Sequence, residues 1–533
     1  MFRGVAPALL IALSLVHASA FSAEISTPAP EEMATRCRGL VGDRFAVVPD
    51  APTQIVSATV LAASSDRPQL CEVKGYVAPQ VAFIVQLPLG SWNGKLMVLG
   101  CGGFCGAYEN SINFPLVNRA LELKSGQEAL RRGYAITAST MGHYGTGRDG
   151  KWAYNNYLAE VDFAWRATHV NTVAAKAIIA DYYGQPHRLA YFQGCSTGGR
   201  QGLMSAQRYP EDFNGIIAGA GPLYYSTSGF QLMWSALANI DAGGKQILRE
   251  ADVRRWHETV LASCDAIDGS KDGIIDDPRH CKLDFEALQC EAGSSDGAGS
   301  CFSAAQLDVV RKIYEGPKDS LGRSIHVGGS TPGSELNWLG QYIDSDTAPA
   351  IFVTWPEDKF RYMSFFEDPG PSWTWRDVDW NRDPARTRGA GVIYDATHPD
   401  LRRFRDSGGK LLTFMGWADQ QVVPANFTDY YELVVSTMGG LEKTREFYRL
   451  FMLPGVGHCQ GGPGADAVDY VSYLENWVEK GIAPEQMLAE HHENGAPVFS
   501  RPLVPYPDTA RYSGRGDPND ARNWRRVKGP AAK

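Results

Sequence analysis

The chain has 533 residues, with 51 basic and 60 acidic side chains, a formal net charge of −9 and ten cysteines. Its length exceeds what a single hydrophobic core usually supports, so one large domain carrying an insertion is expected. The mild acidic excess argues against a nucleic-acid partner, and no like-charge block, low-complexity tract or internal repeat stands out.

The first residues read as an address. Arg3 precedes an apolar run from Val5 to Val16, and Ala18-Ser19-Ala20 supplies the small-x-small pattern of a signal-peptidase site. That run is too short to span a bilayer, and no later stretch is long enough. The expectation is a signal peptide over 1–20 and a secreted or periplasmic protein without a membrane span. The cysteines include no CxxC pair, which argues for disulfides in an oxidising compartment over a zinc ribbon. Short loops close easily, which pairs Cys101 with Cys105, Cys264 with Cys281 and Cys290 with Cys301. Cys37, Cys71, Cys195 and Cys459 remain.

From Lys95 to Pro222, short apolar runs alternate with amphipathic stretches. Strands are expected at Lys95–Leu99, Tyr134–Ala138, Arg188–Phe192 and Phe213–Ala218, and helices at Val161–Tyr183 and Arg200–Arg208. Such alternation implies right-handed crossovers and a parallel sheet. From Tyr224 to about Ala390 the rhythm breaks into a stretch rich in Gly, Pro and Cys. It carries the aromatics Trp355, Phe360, Tyr362, Phe365, Phe366, Trp373, Trp375 and Trp380. Strands then return at Lys410–Met415 and Phe447–Leu453, with helices at Pro424–Thr437 and Ala465–Lys480. The pattern predicts an α/β class protein: an α/β-hydrolase core in two parts, 21–223 and 391–533, interrupted by a lid insertion over 224–390.

Gly194-Cys195-Ser196-Thr197-Gly198-Gly199 lies between the strand ending at Phe192 and the helix opening at Arg200. A G-x-S-x-G turn in that setting needs its glycines because the serine sits in a strained strand-to-helix bend, with its hydroxyl exposed. Ser196 is the candidate nucleophile, and the N–H of Thr197 is a candidate oxyanion donor. Gly102 or Gly103, after the strand Lys95–Leu99, could supply the second donor. In this fold class the acid and then the base follow the nucleophile. Asp419, after the strand Lys410–Met415, is the candidate acid, and His458, after Phe447–Leu453, is the candidate base. Asp429 and Asp466 fall in expected helices and are poorer candidates. Were Ser196 and His458 within hydrogen-bond reach, Cys195 and Cys459 would lie near disulfide distance. Cys37–Cys71 then follows by elimination.

Cys195-Ser196, Asp419, His458-Cys459, the run Gly194–Arg200 and the run Leu453–Cys459 together resemble the tannase and feruloyl esterase family. That family also includes a terephthalate-monoester hydrolase. The resemblance implies an α/β-hydrolase core, a lid, a structural calcium ion and cleavage of aromatic acid esters. The segment Cys264–Asp277 is dense in carboxylates, and oxygen-rich loops with glycine turns suit Ca²⁺. The EF-hand template fails at Ile267. The resemblance names Asp265, Asp268 and Asp272, with the carbonyls of Ser270 and Ile274, as the calcium ligands.

The expected function is a secreted serine esterase for small aromatic or phenolic carboxylate esters, acting through an acyl-enzyme. One alternative is an esterase for a terephthalate half-ester or aliphatic esters. Another is a non-catalytic, calcium-stabilised extracellular binding module, against which the Ser–Asp–His order counts. The sequence leaves the oligomeric state open.

Overall fold

The computed structural model describes Met1 and residues 29–113, 124–291 and 301–529; the expected signal peptide, apart from Met1, lies outside the described residues. Its centre is a nine-stranded sheet: β1 (Thr53–Leu61), β2 (Leu70–Val77), β3 (Val81–Pro88), β4 (Lys95–Leu99), β5 (Ala135–Ser139), β6 (Leu189–Cys195), β7 (Gly215–Gly219), β8 (Lys410–Gly416) and β9 (Tyr448–Leu453). The spatial order is β1-β2-β3-β5-β4-β6-β7-β8-β9. The pairs from β5 to β9 are parallel, while β1, β2 and β3 extend the sheet as antiparallel strands against β5.

Every residue of β4, β5, β7 and β9 is buried. Parallel strands covered on both faces are written as near-continuous apolar runs, which is why these four were legible in the sequence. The antiparallel extension was not anticipated, nor were the C-terminal hairpins Met487–Glu493 with Ala496–Leu503 and Thr509–Tyr512 with Trp524–Val527. In β1, buried and exposed residues alternate only at its start, so it carries a weaker pattern.

The helix expected over Val161–Tyr183 is broken. Tyr157–Val161 is α-helical, Asp162–Arg166 forms a π turn, and Ala167–Tyr183 resumes as α-helix. A π turn frees carbonyls from the regular ladder. Arg200, fully buried, donates to the carbonyls of Phe163 and Ala164 there, and to that of Tyr394. The rings of Phe163 and Tyr225 flank its guanidinium at 5.0 and 4.9 Å. A cation wholly out of water is tolerable only with such partners. The helix Thr197–Arg208 is thereby fastened to its neighbour at its first turn.

Between β7 and β8 the chain leaves the sheet. Among its described residues this insertion adds no strand to the sheet, and it builds a separate core around Trp256, Val260, Val310, Ile313, Trp338 and Tyr342. A smaller cluster gathers Phe230, Met233, Phe360, Phe365 and Trp373. All five disulfides expected from the sequence are present: Cys37–Cys71, Cys101–Cys105, Cys195–Cys459, Cys264–Cys281 and Cys290–Cys301. Among the described residues, no helix is long and apolar enough to cross a membrane.

Candidate active site

Three turns at the carboxyl ends of β6, β8 and β9 converge. Ser196 caps the helix Thr197–Arg208 with φ 60° and ψ −128°, a left-handed backbone that side-chain-bearing residues rarely adopt. The bend closes because its glycines admit backbone contacts that a side chain would block. A Cβ on Gly199 would lie 2.1 Å from the carbonyl oxygen of Gly219, and one on Gly194 would lie 2.7 Å from the carbonyl carbon of Gly198. The Ser196 N–H donates to the Gly219 carbonyl at 3.0 Å, locking the turn onto the end of β7.

His458 faces Ser196 with Nε2 at 2.9 Å from Oγ, and its Nδ1 lies 2.8 Å from Oδ2 of Asp419. Asp419 is wholly buried, and its other oxygen accepts the N–H groups of Gln421 and Val422 at 2.8 and 2.9 Å. Burial of a carboxylate is affordable here because each oxygen has a donor. The arrangement fits an imidazole that carries its proton on Nδ1 and takes the serine proton on Nε2. Cys195 and Cys459 are bonded directly beside Ser196 and His458, with Cα atoms 6.1 Å apart. Of the two acids passed over, Asp429 lies in the helix Ala425–Met438 as expected. Asp466 does not lie in a helix, since Tyr470–Lys480 begins later; it accepts the N–H of Gly461 at 2.6 Å and so supports the histidine loop.

The glycine loop after β4 lies against the serine turn. Thr197 Oγ1 donates to the Gly103 carbonyl at 2.6 Å, and the Phe104 N–H donates to Gly147. Gly103 has φ +58°, and a Cβ on it would strike the Gly147 carbonyl at 2.3 Å. The Cys101–Cys105 bond closes the loop. His143 holds it from behind, with Nε2 2.7 Å from the Phe104 carbonyl and its ring stacked on Trp152 at 3.8 Å. Burial pushes the His143 imidazole down to about 4. Gly102 and Gly103 both line the cleft.

Above these groups opens a cleft of about 840 Å³, lined by Gly102, Gly103, Thr146, Arg148, Ser196, Ile351, Phe352, Trp355, Gln421 and His458 among others. Of the eight aromatics singled out in the sequence, Trp355 is the one lining this cleft. Phe360, Phe365 and Trp373 are core of the insertion, with Trp375 and Trp380 packed against them. Tyr362 joins the main core, and Phe366 is exposed. Phe352 and Phe104, neither foreseen, pack near Trp355, the Phe104 and Trp355 rings being parallel at 5.9 Å. No periodic signal marks such residues, because they meet only through the tertiary fold.

The acidic loop folds on itself. Asp265 accepts the N–H groups of Asp272 and Gly273, Asp268 that of Ser270, and Asp272 that of Ile274. Arg501 pairs with Asp272 at 2.5 Å. Burial, with the charges of Asp272 and Asp265, pushes Asp268 up to about 7. Burial and the neighbouring carboxylates of Asp268, Asp277 and Asp272 likewise raise Asp276. Among the described residues, no three His, Cys, Asp or Glu side chains are grouped so as to hold a metal by themselves. The donor set is nevertheless all oxygen, acidic and partly desolvated, which is the chemistry calcium selects.

A family model described as tannase and feruloyl esterase matches residues 65–369 and 371–527. The mono(2-hydroxyethyl) terephthalate hydrolase of Piscinibacter sakaiensis is 30% identical over 539 residues, covering 88% of this chain and 86% of that protein. A probable feruloyl esterase B-2 of Aspergillus terreus is 33% identical over 413 residues, covering 74% of this chain and 75% of its own. The crystal structure of feruloyl esterase B from Aspergillus oryzae superposes with a TM-score of 0.79 at 25% identity, over 93% of this chain and 100% of that one. Tannin acyl hydrolase from Aspergillus niger shares the fold, with a TM-score of 0.72 at 21% identity, over 95% of this chain and 97% of its own. The chain belongs to the tannase and feruloyl esterase family of esterases.

Proposed function

We propose that this protein is a secreted serine esterase that hydrolyses esters of aromatic or phenolic carboxylic acids through an acyl-enzyme. The observation carrying this reading is the unbroken hydrogen-bonded chain Asp419–His458–Ser196 on the floor of an open cleft. Ser196 Oγ attacks the ester carbonyl while His458 Nε2 takes its proton. The N–H of Thr197, with that of Gly102 or Gly103, faces the oxyanion. The collapsing intermediate takes the proton from His458 and releases the alcohol. Water, activated by the same imidazole, then frees the acid. Asp419 holds the imidazole tautomer and stabilises its protonated form.

Trp355 and Phe352, which line the cleft, support an aromatic acyl group, because flat rings gain about 0.5–1.5 kcal/mol per well-placed pair beyond area burial. A terephthalate half-ester is the second reading. It is favoured by Arg148, the one Lys or Arg lining the cleft among the described residues, and by the activity named for the Piscinibacter relative. Calcium, held by Asp265, Asp268, Asp272 and the carbonyls of Ser270 and Ile274, would neutralise the acidic loop and stabilise the insertion. Secretion is supported by the five disulfides and by the signal-peptide pattern of Arg3, the apolar run Val5–Val16 and Ala18-Ser19-Ala20.

The test is one preparation assayed on methyl gallate, methyl ferulate, a terephthalate half-ester and methyl butyrate. Aromatic esters should lead the butyrate tenfold to hundredfold in kcat/KM, roughly what apolar contacts discriminate. Equal or faster turnover of the butyrate would refute the aromatic reading. Arg148→Gln should slow the half-ester selectively if the second reading holds. A serine-directed phosphonate should label Ser196, an outcome that a binding module would not give.

A further inference from the structure

The turn that carries Asp419 is gripped from two sides. On the core side its N–H groups are used: Trp417 donates to the Leu453 carbonyl at 2.9 Å and Ala418 to Val456 at 3.0 Å, both at the start of the histidine loop. On the other side its carbonyls are used, and among the described residues the side chains that donate to them come from the insertion. Thr331 Oγ1 donates to Trp417, Asn337 Nδ2 to Ala418 at 2.8 Å, and the Tyr342 hydroxyl to Gln420. Gln231 donates to the Tyr342 oxygen at 2.9 Å, which leaves the phenolic hydrogen for Gln420. Three side chains within one short segment thus meet three of the four carbonyls from residue 417 to residue 420.

That segment is itself anchored. Glu335, fully buried, accepts from the Gly333 N–H at 2.8 Å and from the Tyr314 hydroxyl, and meets His257 Nδ1 at 2.7 Å. His257 and Tyr314 belong to the helices Glu250–Cys264 and Ala304–Glu315 that build the insertion's own core. Trp338, wholly buried in the same core, donates to Ser334 at 3.0 Å. Rigidity therefore runs from that core through Glu335 to residues 331–342, and from there to the backbone around Asp419.

We propose that residues 331–342 are a positioning brace for the candidate acid, so that the insertion completes the hydrolytic machinery in addition to covering it. Thr331, Asn337 and Tyr342 are the positioning residues, acting on Asp419 through its backbone without touching substrate. This rests on the reading of Ser196, His458 and Asp419 as the catalytic groups. Its physical basis is that a carboxylate misplaced by about an ångström holds the imidazole poorly, and errors of that size cost on the order of 10²-fold in rate. The brace also explains why the acid can sit in a turn, an element that is usually mobile.

The experiment uses the full-length protein and near-isosteric substitutions that delete only the donors: Thr331→Val, Asn337→Leu, Tyr342→Phe and their triple combination. Each single change should lower kcat on a methyl aromatic ester about threefold to tenfold with KM within twofold. The triple should lose roughly 10²-fold. Phosphonate labelling of Ser196 should slow in step, and Thr331→Ser, which keeps the hydroxyl, should stay near parental. The acid limb of the pH–rate profile should move to lower pH, because a misaligned carboxylate stabilises the protonated imidazole less. Should the triple fail to fold, the single variants with parental melting temperatures carry the test. Parental kcat, labelling rate and pH profile in folded variants would overturn the brace. Ser196→Ala separates the two readings: activity retained there would sink the catalytic assignment, whereas an inactive Ser196→Ala with unaffected Thr331, Asn337 and Tyr342 variants would sink the brace alone.

Discussion

The turns carrying Ser196 and Asp419 follow strands two places apart in the same sheet, yet they are held by different physics. The serine turn is made by its own residues: glycines at 194, 198 and 199 allow backbone contacts under 3 Å from a hypothetical Cβ at two of them, and β6 runs straight into the helix it bends toward. The aspartate turn has local bonds of its own, from the N–H groups of Gln421 and Val422 to the Asp419 carboxylate, but these do not tie it to the sheet. It is fixed by N–H bonds to the histidine loop and carbonyl bonds to the insertion, from partners 36 to 86 residues away. Local construction leaves a signature in the sequence; construction by distant partners does not.

The comparison breaks hardest at the chemical groups. Ser196→Ala should cost roughly 10⁴-fold or more in kcat with the melting temperature unchanged, because the elbow is a matter of backbone and glycine, not of the hydroxyl. Asp419→Asn should cost somewhat less, though still orders of magnitude, as the imidazole loses its tautomer control. Near-parental activity in a folded form of either variant would remove that residue from the machinery.

Next in size is the bond that joins the serine turn to the histidine loop. Replacing Cys195 and Cys459 together by Ala should lower kcat on the order of 10²-fold in molecules that still fold, since the bond sets the register of Ser196 against His458. Activity and far-UV circular dichroism on the same sample separate this from unfolding. Full activity in a folded variant would make the bond a matter of stability alone.

The proposed calcium site lies further from the chemistry. A chelator should lower the melting temperature of the protein by several degrees, and added Ca²⁺ should restore it by mass action. Asp268→Ala should abolish that response while leaving kcat at low temperature largely intact. A melting curve indifferent to chelator, with no metal by elemental analysis, would end the assignment.

The smallest effect sharpens how the insertion and the core are joined. His326 lies between Thr227 Oγ1 at 2.8 Å and Asn426 Nδ2 at 3.3 Å, and burial beside Lys359 pushes its imidazole down to about 3. A histidine held neutral in the folded state contributes fully above its ordinary range near 6.5. That contribution is lost as pH falls toward 3, at about 1.4 kcal/mol per pH unit at most. Glu160 and Asp268, both raised to about 7 by burial, work in the opposite direction between their ordinary values and 7, and His143, lowered to about 4, works in the same direction as His326, so the bulk slope mixes several groups. His326→Gln isolates the histidine: its stability curve should be flatter than the parental one between pH 6 and 4. Parallel curves would exclude His326 as a source of acid sensitivity.

How far the sequence reached follows from these differences. The parallel strands were legible because burial on both faces demands unbroken apolar runs, and the serine turn because its glycines are spaced by local sterics. His458 and Asp419 could be nominated only from their order along the chain and their stations after strands. Their distances to Ser196 exist only once β6, β8 and β9 lie in one sheet. The ten cysteines could be paired because short loops and the expected Ser196–His458 approach left few combinations. The π turn at Asp162–Arg166, the cleft wall Phe352, the Phe104 ring behind Trp355, and the grip of Thr331, Asn337 and Tyr342 on the aspartate turn left no trace in periodicity or composition. Each depends on side chains brought together across scores of residues, and a hydrogen bond or ring contact of that kind imposes no spacing on the sequence that encodes it. The sequence by itself determined which residues could do the chemistry; the tertiary structure alone decided what holds them at bonding distance, because that is set by the packing of one core against another.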